Sequence, residues 1–326
     1  MSQWQRVKFE DLLVGKKISY GVVQPGQFQE VGGVPLIRVN NIKNAKVDVS
    51  DIVKIHGDVE AKYSKTRLSG GELLITVVGS VGECAIVTEE LKGFNVARAV
   101  SVANIVDGVD KRFVAYQFRT EDLKFQMYGN TNDTVQPTLN LTELKQLTFT
   151  LPPLPEQKAI ASVLSSLDDK IDLLHRQNKT LEAMAETLFR QWFIEEAKQD
   201  WEEKPLDEVV SHFIDYRGKT PNKTTSGIPL ITAKIVKAGR IQEPTEFISE
   251  KDYPLWMTRG YPEINDVVLT TEAPLGEIGL IRDTNVALAQ RIITMRCNPN
   301  VFDNVVLKYY LMSEVGQYEL DSRASG

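Results

Sequence analysis

Apolar residues recur with a fixed spacing in the middle of the chain. No glycine or proline occurs from Glu156 to Glu203, and the Pro152-Pro153-Leu154-Pro155 segment just before suits the first turn of a helix. Within this stretch nine positions alternate in steps of three and four: Leu164, Leu167, Ile171, Leu174, Asn178, Leu181, Ala185, Leu188 and Trp192. The spacing predicts one long helix whose narrow apolar seam pairs with another helix, as in a coiled coil.

Asn178 is the polar member of this seam, and such a residue fixes the register of helix pairing at a cost in stability. A helix of about 40 residues at ~1.5 Å per residue would be roughly 60 Å long, enough to hold two globular domains apart. The alternative is an amphipathic helix that lies on its own domain, although a surface helix usually has a wider apolar stripe.

The segments on either side of this helix repeat each other. Gly33-Val34-Pro35-Leu36-Ile37 returns 194 residues later as Gly227-Ile228-Pro229-Leu230-Ile231. The same offset relates Glu72–Thr76 to Asp266–Thr270, Gly82 to Gly276 and Tyr116 to Tyr310, and Arg98 matches Arg291 with a slip of one residue. The offset is kept over about eighty residues, so the repeat is not a chance match. A repeat unit of about 194 residues is too long for a solenoid and indicates a duplicated domain.

Each copy is expected to be mainly β-structure. Short β-branched runs such as Leu73–Val78 and Val267–Thr271 are bounded by turn residues, whereas Asp110–Phe118 and Asn304–Met312 have helical spacing. The predicted fold class is α+β, with two similar strand-rich domains at 1–151 and 201–326 separated by a helical spacer at 152–200. The second copy stops where the first has reached residue 132, so we expect it to be incomplete at its C-terminal end.

Composition excludes several classes of protein. The 326 residues include only three His and two Cys, and no segment reaches the ~18 apolar residues of a membrane span. Phosphate-binding and dinucleotide-binding glycine motifs are absent, and Glu60 with Lys62 is a weak match to a nuclease site because no partner acid is well placed. We therefore expect a cytoplasmic protein without catalytic residues, metal or cofactor, and without a membrane partner.

Basic residues are distributed unevenly. The net charge of −6 argues weakly against nucleic acid, yet Tyr216–Gln242 has six basic residues and no acid, and Val31–Val47 is a smaller example. Such a run is either a solvated loop or a surface that faces phosphates.

The chain resembles the specificity subunits of type I restriction–modification systems. The resemblance rests on Asn140–Lys145, on Leu151-Pro152-Pro153-Leu154-Pro155-Glu156-Gln157, and on the helix end Leu181–Phe193. It implies two target recognition domains that each read half of a split target in double-stranded DNA. It also implies a helical ruler between the half-sites and a scaffold for methyltransferase subunits and a restriction/translocase subunit. The chain departs from the family pattern in lacking the second conserved helix, which leaves self-association through the spacer helix as a further option.

Candidate DNA-contacting residues are those that can hydrogen-bond base edges or phosphates from the loops of each copy. In the first domain they are Arg38, Asn40, Asn41, Lys43, Lys46, Ser64, Lys65, Arg67, Ser80, Arg98, Asn130, Thr131 and Asn132. In the second they are Lys219, Thr220, Lys223, Thr232, Lys234, Lys237, Arg240, Arg259, Thr270, Thr271 and Arg291. We assign Lys43, Lys46, Lys219, Lys223 and Arg240 to the phosphate backbone.

Three other interpretations stay open at this point. The chain could be the recognition subunit of another two-subunit restriction enzyme type, or a coiled-coil dimerisation scaffold whose domains bind protein or carbohydrate. The least favoured is a nuclease built around Glu60 and Lys62.

Overall fold

The computed structural model describes residues 4–129, 137–198, 200–216 and 218–324, and it divides into two units, Met1–Leu174 and His175–Gly326. The first unit contains strands β1 (Gln5–Lys8), β2 (Leu13–Tyr20), β3 (Val34–Ile37), β4 (Ile42–Lys43), β5 (Lys46–Val47), β6 (Val53–Ile55), β7 (Leu73–Thr76), β8 (Cys84–Ile86), β9 (Asn95–Val96), β10 (Val100–Ile105) and β11 (Thr148–Leu151). Its helices are α1 (Gly57–Ala61), α2 (Lys111–Gln117), α3 (Glu121–Gly129), α4 (Leu141–Gln146) and the start of α5 (Leu154–Arg190).

The core of the first unit lies between a four-stranded antiparallel sheet of order β2-β10-β7-β8 and the helices that follow it. β7 is buried along its whole length, including the polar Thr76 at its end, because the sheet is covered on both faces. Phe9, Phe118 and Phe149 pack against one another with ring centroids 5.2–5.5 Å apart. A second small sheet has the order β6-β3-β9, in which β3 and β9 are parallel.

The second unit contains the rest of α5, helices α6 (Leu206–Val209), α7 (Tyr253–Trp256), α8 (Asn304–Met312) and α9 (Glu314–Ser322), and strands β12 (Val210–Asp215), β13 (Ile228–Ile231), β14 (Val236–Lys237), β15 (Arg240–Ile241), β16 (Phe247–Ile248), β17 (Val267–Thr271), β18 (Leu275–Leu280), β19 (Ala287–Leu288) and β20 (Ile292–Cys297). Its four-stranded sheet has the order β12-β20-β17-β18, and its small sheet has the order β16-β13-β19. These are the strand orders of the first unit, so the predicted duplication is confirmed.

The structure corrects two details of the predicted alignment. Asp110 caps α2 and Asp303 caps α8 in the same way, so Tyr116 corresponds to Tyr309 and not to Tyr310. The carbonyl of Ala99 accepts from Val77 N, and that of Arg291 accepts from the equivalent Thr271 N, so Arg291 corresponds to Ala99 and not to Arg98. Backbone and capping hydrogen bonds define which residues of the two units are equivalent. A similar side chain one residue away can be mistaken for the equivalent residue when only the sequence is compared.

The predicted spacer helix is confirmed as a continuous element, α5, of 37 residues, which corresponds to about 55 Å at ~1.5 Å per residue. A single turn of π-helix at Gln191–Glu195 follows it and contains Trp192, the last residue of the predicted seam. Within the part of the chain that the structure describes, no helix is long and apolar enough to cross a membrane.

Candidate nucleic-acid interface

The loop after β3 is held in shape by its own polar residues. The Arg38 guanidinium donates from Nη2 to the backbone oxygen and to Oδ2 of Asp51, each at 3.0 Å, and the exposed Asn40 amide lies 3.4 Å from the same carboxylate. The buried Asn41 accepts from the Arg38 backbone N–H and donates to Asp48 O, so the fold uses its amide internally. Lys43 is exposed.

Two basic candidates of the first unit are paired with acids of the fold. Lys46 Nζ lies 3.0 Å from Asp172 Oδ2 on α5. Arg67 donates through Nε, at 2.8 Å, and through Nη2 to the buried carboxylate of Glu60, which also accepts from Asn95. The hydrogen bond from Arg67 lowers the pKa of Glu60 against the effect of burial. Glu60 is therefore engaged in a structural ion pair, which speaks against the nuclease hypothesis.

The remaining candidates of the first unit differ in exposure. Ser64, Lys65, Ser80 and Arg98 are exposed, and the backbone oxygen of Ser80 accepts from the Thr76 hydroxyl. Asn130, Thr131 and Asn132 lie outside the described residues.

In the second unit the basic run that is free of acids in sequence is not free of acids in space. Glu246 lies just beyond it, with Oε2 2.7 Å from Lys223 Nζ and Oε1 3.4 Å from Lys234 Nζ. Lys223 first, and then Lys234, lowers the pKa of Glu246. Lys219, Thr220 and Lys237 are exposed, and no described carboxylate lies within 4.0 Å of either lysine.

Among the remaining candidates of the second unit, the threonines Thr232 and Thr270 are buried and the arginines are exposed. The Thr270 hydroxyl accepts from Glu277 N at 2.9 Å. The Thr271 hydroxyl is buried without a partner in the described part of the chain. Arg259 is exposed, with its guanidinium 5.9 Å from the Tyr216 ring centroid, and the exposed Arg291 lies 3.2 Å from Glu272.

Helix α5 is attached to the first unit by polar side chains that the seam pattern did not reveal. Asp168 Oδ2 accepts from the Tyr116 hydroxyl at 2.8 Å and from Arg119 at 3.2 Å. Burial first, and then this carboxylate, raises the pKa of Tyr116 to about 12. Gln157 is buried and accepts from Asp110 N at 3.0 Å. The sequence signal for this attachment was Asp168, an acidic residue next to the apolar seam. Its partners Tyr116 and Arg119 are distant along the chain, so the sequence did not identify them.

The second unit holds the C-terminal part of α5 through a different set of contacts. Glu182 forms a two-point ion pair with Arg240, whose guanidinium was assigned to phosphates from the sequence. The Phe189 ring, which is buried, packs on Tyr309 with centroids 6.1 Å apart. Arg240 is therefore part of the attachment of the helix.

Most of the predicted seam faces solvent. Its large apolar members other than Leu164 are exposed by between 39% and 61%, namely Leu167, Ile171, Leu174, Leu181, Leu188 and Trp192. Asn178 is also exposed, and Leu164 and Ala185 are half-buried. A stripe of this size is typical of a surface that binds another helix.

The described residues contain no obvious reacting centre. No group of three or more His, Cys, Asp and Glu side chains among them could hold a metal ion. Cys84 and Cys297 are both buried, and burial raises the pKa of the Cys297 thiol to about 11, which disfavours the nucleophilic thiolate.

The sequence was compared with protein families and with known proteins. Residues 1–183 match the model of the type I restriction modification DNA specificity domain. A protein of Methanocaldococcus jannaschii described as the MjaX type I restriction enzyme specificity subunit is 24% identical over 94% of this chain and 75% of its own length. The EcoBI specificity subunit of Escherichia coli is 28% identical over 50% of this chain, which spans only 34% of that protein.

A solved structure shows the same fold. The crystal structure of the type I restriction–modification system S subunit from M. genitalium superposes with a TM-score of 0.52, covering 99% of this chain and 79% of that one at 17% sequence identity. The family match extends over more than half of the chain. The chain therefore belongs to the family of type I restriction–modification DNA specificity proteins.

Proposed function

We propose that this chain is the DNA-specificity subunit of a type I restriction–modification complex and has no active site of its own. The observation that carries the proposal is the duplicated fold. Two units keep the same strand order and the same helix caps while their loops present different side chains. Such a frame suits two readers of two different half-sites.

In this proposal the domains at 1–151 and 201–326 each contact one half-site of double-stranded DNA. The first contacts with DNA come from exposed basic residues. In the described parts of the chain, those with no carboxylate within 4.0 Å are Lys43, Lys65, Arg98, Lys219 and Lys237. Arg38, Arg259 and Arg291 are held by neighbouring groups and present fixed guanidinium edges to bases. Lys46, Arg67 and Arg240 are committed to the fold.

Helix α5, within the spacer at 152–200, acts as the ruler between the half-sites. Its exposed seam receives a second helix, and methyltransferase and restriction/translocase subunits assemble on the paired helices. What supports this is the combination of a continuous helix with a solvent-facing apolar stripe.

Sequencing of methylated bases in a host that expresses this chain with its partner subunits tests the proposal. We expect one bipartite motif with a fixed gap, and exchange of the second unit for that of a relative should change only one half of the motif. The proposal would be contradicted by a methylated motif without a gap. It would also be contradicted if the host with this chain has no methylated motif beyond those of the host without it.

Salt-dependent retention of the purified chain on duplex DNA separates this function from a protein- or carbohydrate-binding scaffold. Metal-dependent DNA cleavage by the purified chain would instead support the nuclease alternative.

A further inference from the structure

A cavity of about 430 Å³ lies within the second unit, where helix α5, the β14–β15 hairpin and helix α8 meet. Three basic side chains line it, Arg240, Arg282 and Lys308, together with the acidic Glu182. Because Glu182 is already paired with Arg240 at two points, Arg282 and Lys308 are the charges left facing the cavity.

Lys308 is a buried cation without a carboxylate partner. The residue is only 6% exposed, its Nζ lies 4.4 Å from the centroid of the Tyr309 ring, and no described carboxylate lies within 4.0 Å of it. Burial lowers its pKa, with Glu182 and Glu186 opposing the effect and Arg282 and Arg240 adding to it. An aromatic face compensates only part of the cost of removing an ammonium group from water, so an anion in the cavity would stabilise the charged form of Lys308.

Arg282 is a second basic residue that lines the same cavity as Lys308. It is exposed, and its Nη1 donates to Oδ1 of the neutral Asn265 at 2.9 Å. The remaining N–H groups of the guanidinium are donors with the planar arrangement that matches phosphate oxygens.

The first unit shows that the fold does not require these charges. The shared helix caps Asp110 and Asp303 equate Lys308 with Ala115, and the offset that relates Gly82 to Gly276 equates Arg282 with Thr88. Both Ala115 and Lys308 are buried, yet only the second unit carries the ammonium group.

Gly239, between β14 and β15, also lines the cavity. Gly239 has a φ of +77°, and a Cβ there would lie 2.8 Å from Met312 Cε and 3.4 Å from Lys308 Cε. The first unit has Ala45 at the equivalent position, with a φ of +61°. A larger residue at position 239 of the second unit would first meet Met312, whereas its contact with Lys308 would be of ordinary van der Waals length.

We propose that this cavity is a phosphate-binding site in which Lys308 and Arg282 hold the phosphate group. The phosphate belongs either to a free nucleotide or to a DNA backbone, and Tyr309 and Leu280 also line the cavity. The inference does not rest on the proposed specificity function, because it concerns one cavity inside one unit.

Calorimetric titration of the whole chain with pyrophosphate, ATP and citrate at constant ionic strength tests the site. We expect pyrophosphate or ATP to bind one to one and to raise the melting temperature, and citrate to bind at least tenfold more weakly. Lys308→Met and Arg282→Gln should each weaken phosphate binding at least tenfold, whereas the exposed Lys251→Met should leave it unchanged.

The source of the phosphate is distinguished by competition. If short duplex DNA displaces pyrophosphate from the parent chain and itself binds Lys308→Met more weakly than the parent, the ligand is the DNA backbone. If DNA does not displace pyrophosphate, the ligand is a free nucleotide. Should Lys308→Met not fold, Lys308→Ala introduces the residue that the first unit already buries.

Two results would overturn the proposal. One is the absence of saturable pyrophosphate, ATP and DNA binding that depends on Lys308 or Arg282. The other is equal binding of citrate, which would assign the cavity to carboxylates, such as acidic side chains of a partner subunit.

Discussion

Arg240 and Glu182 form an ion pair with two contacts of 2.5 Å, from Nε to Oε1 and from Nη2 to Oε2. The pair joins the β14–β15 hairpin to helix α5 within the second unit. The first unit has an equivalent contact from the corresponding hairpin, in which Lys46 Nζ lies 3.0 Å from Asp172 Oδ2. Each hairpin therefore uses the same basic position to hold its own part of the helix.

The first prediction concerns this attachment. Arg240→Ala should lower the free energy of unfolding by about 0.5–1 kcal/mol, because both partners are partly exposed and solvent screens the pair. Urea denaturation of the single variants and of Arg240→Ala with Glu182→Ala would measure the coupling. If Arg240 contacts phosphates instead, its loss will flatten the salt dependence of DNA binding and leave stability unchanged.

The second prediction separates free from paired lysines in the basic run. Lys219→Gln and Lys237→Gln should each reduce the slope of log binding constant against log salt concentration by about 0.9, since one released counterion is lost with each phosphate contact. Lys223→Gln is the matched control, because Lys223 is paired with Glu246 and should have a smaller effect. Equal slopes in all three variants and the parent would place this run away from DNA.

The third prediction concerns the ruler. Insertion of seven residues after Leu174 keeps the seam in phase and should lengthen the helix by about 10 Å, or about three base pairs. Sequencing of methylated sites should then show the same two half-sites with a longer gap. An unchanged gap would show that the spacing is set elsewhere.

The fourth prediction concerns acid stability. The pKa of Glu60 is lowered in the folded state, so its pairing with Arg67 contributes stability above the unfolded pKa near 4.5, and this contribution is lost as the pH falls through the folded pKa. Glu60→Gln should cost about 1–3 kcal/mol at pH 7, because the buried carboxylate is replaced by a weaker partner.

Thermal denaturation from pH 7 down to pH 3 would check this. The difference between the parent and Glu60→Gln should shrink as the pH falls below about 4.5. Lys92→Gln, at an exposed ion pair, is the control and should change stability little at any pH. A difference that is constant with pH would mean that Glu60 acts through packing.

Periodic features of this chain were predictable from its sequence, because they repeat a local rule. The three-four spacing from Leu164 to Trp192 located the helix, and the offset from Gly33 to Gly227 located the duplicated fold. Both are averages over many residues, so single exceptions such as Asn178 do not obscure them.

Pairing between distant residues was not predictable in the same way. Nothing in the sequence connects Arg240 with Glu182, or Lys223 with Glu246 beyond the end of the basic run. Likewise the side-chain amide of Asn41 could hydrogen-bond a base edge, but it is buried and donates to Asp48 O within its own loop. Side-chain type describes what a residue can bind, whereas the fold decides which partner reaches it.

Different residues of helix α5 serve its attachment to the units and its proposed pairing with a second helix. The attachments to the units use Gln157, Asp168, Asp172, Glu182 and Phe189, and none of these belongs to the three-four seam. Under the proposed helix pairing, substitutions at the exposed seam residues Leu167 and Ile171 should therefore change which helix pairs with α5 without removing these attachments. On this proposal, partner choice and the stability of the two units depend on different residues of one helix and can change independently.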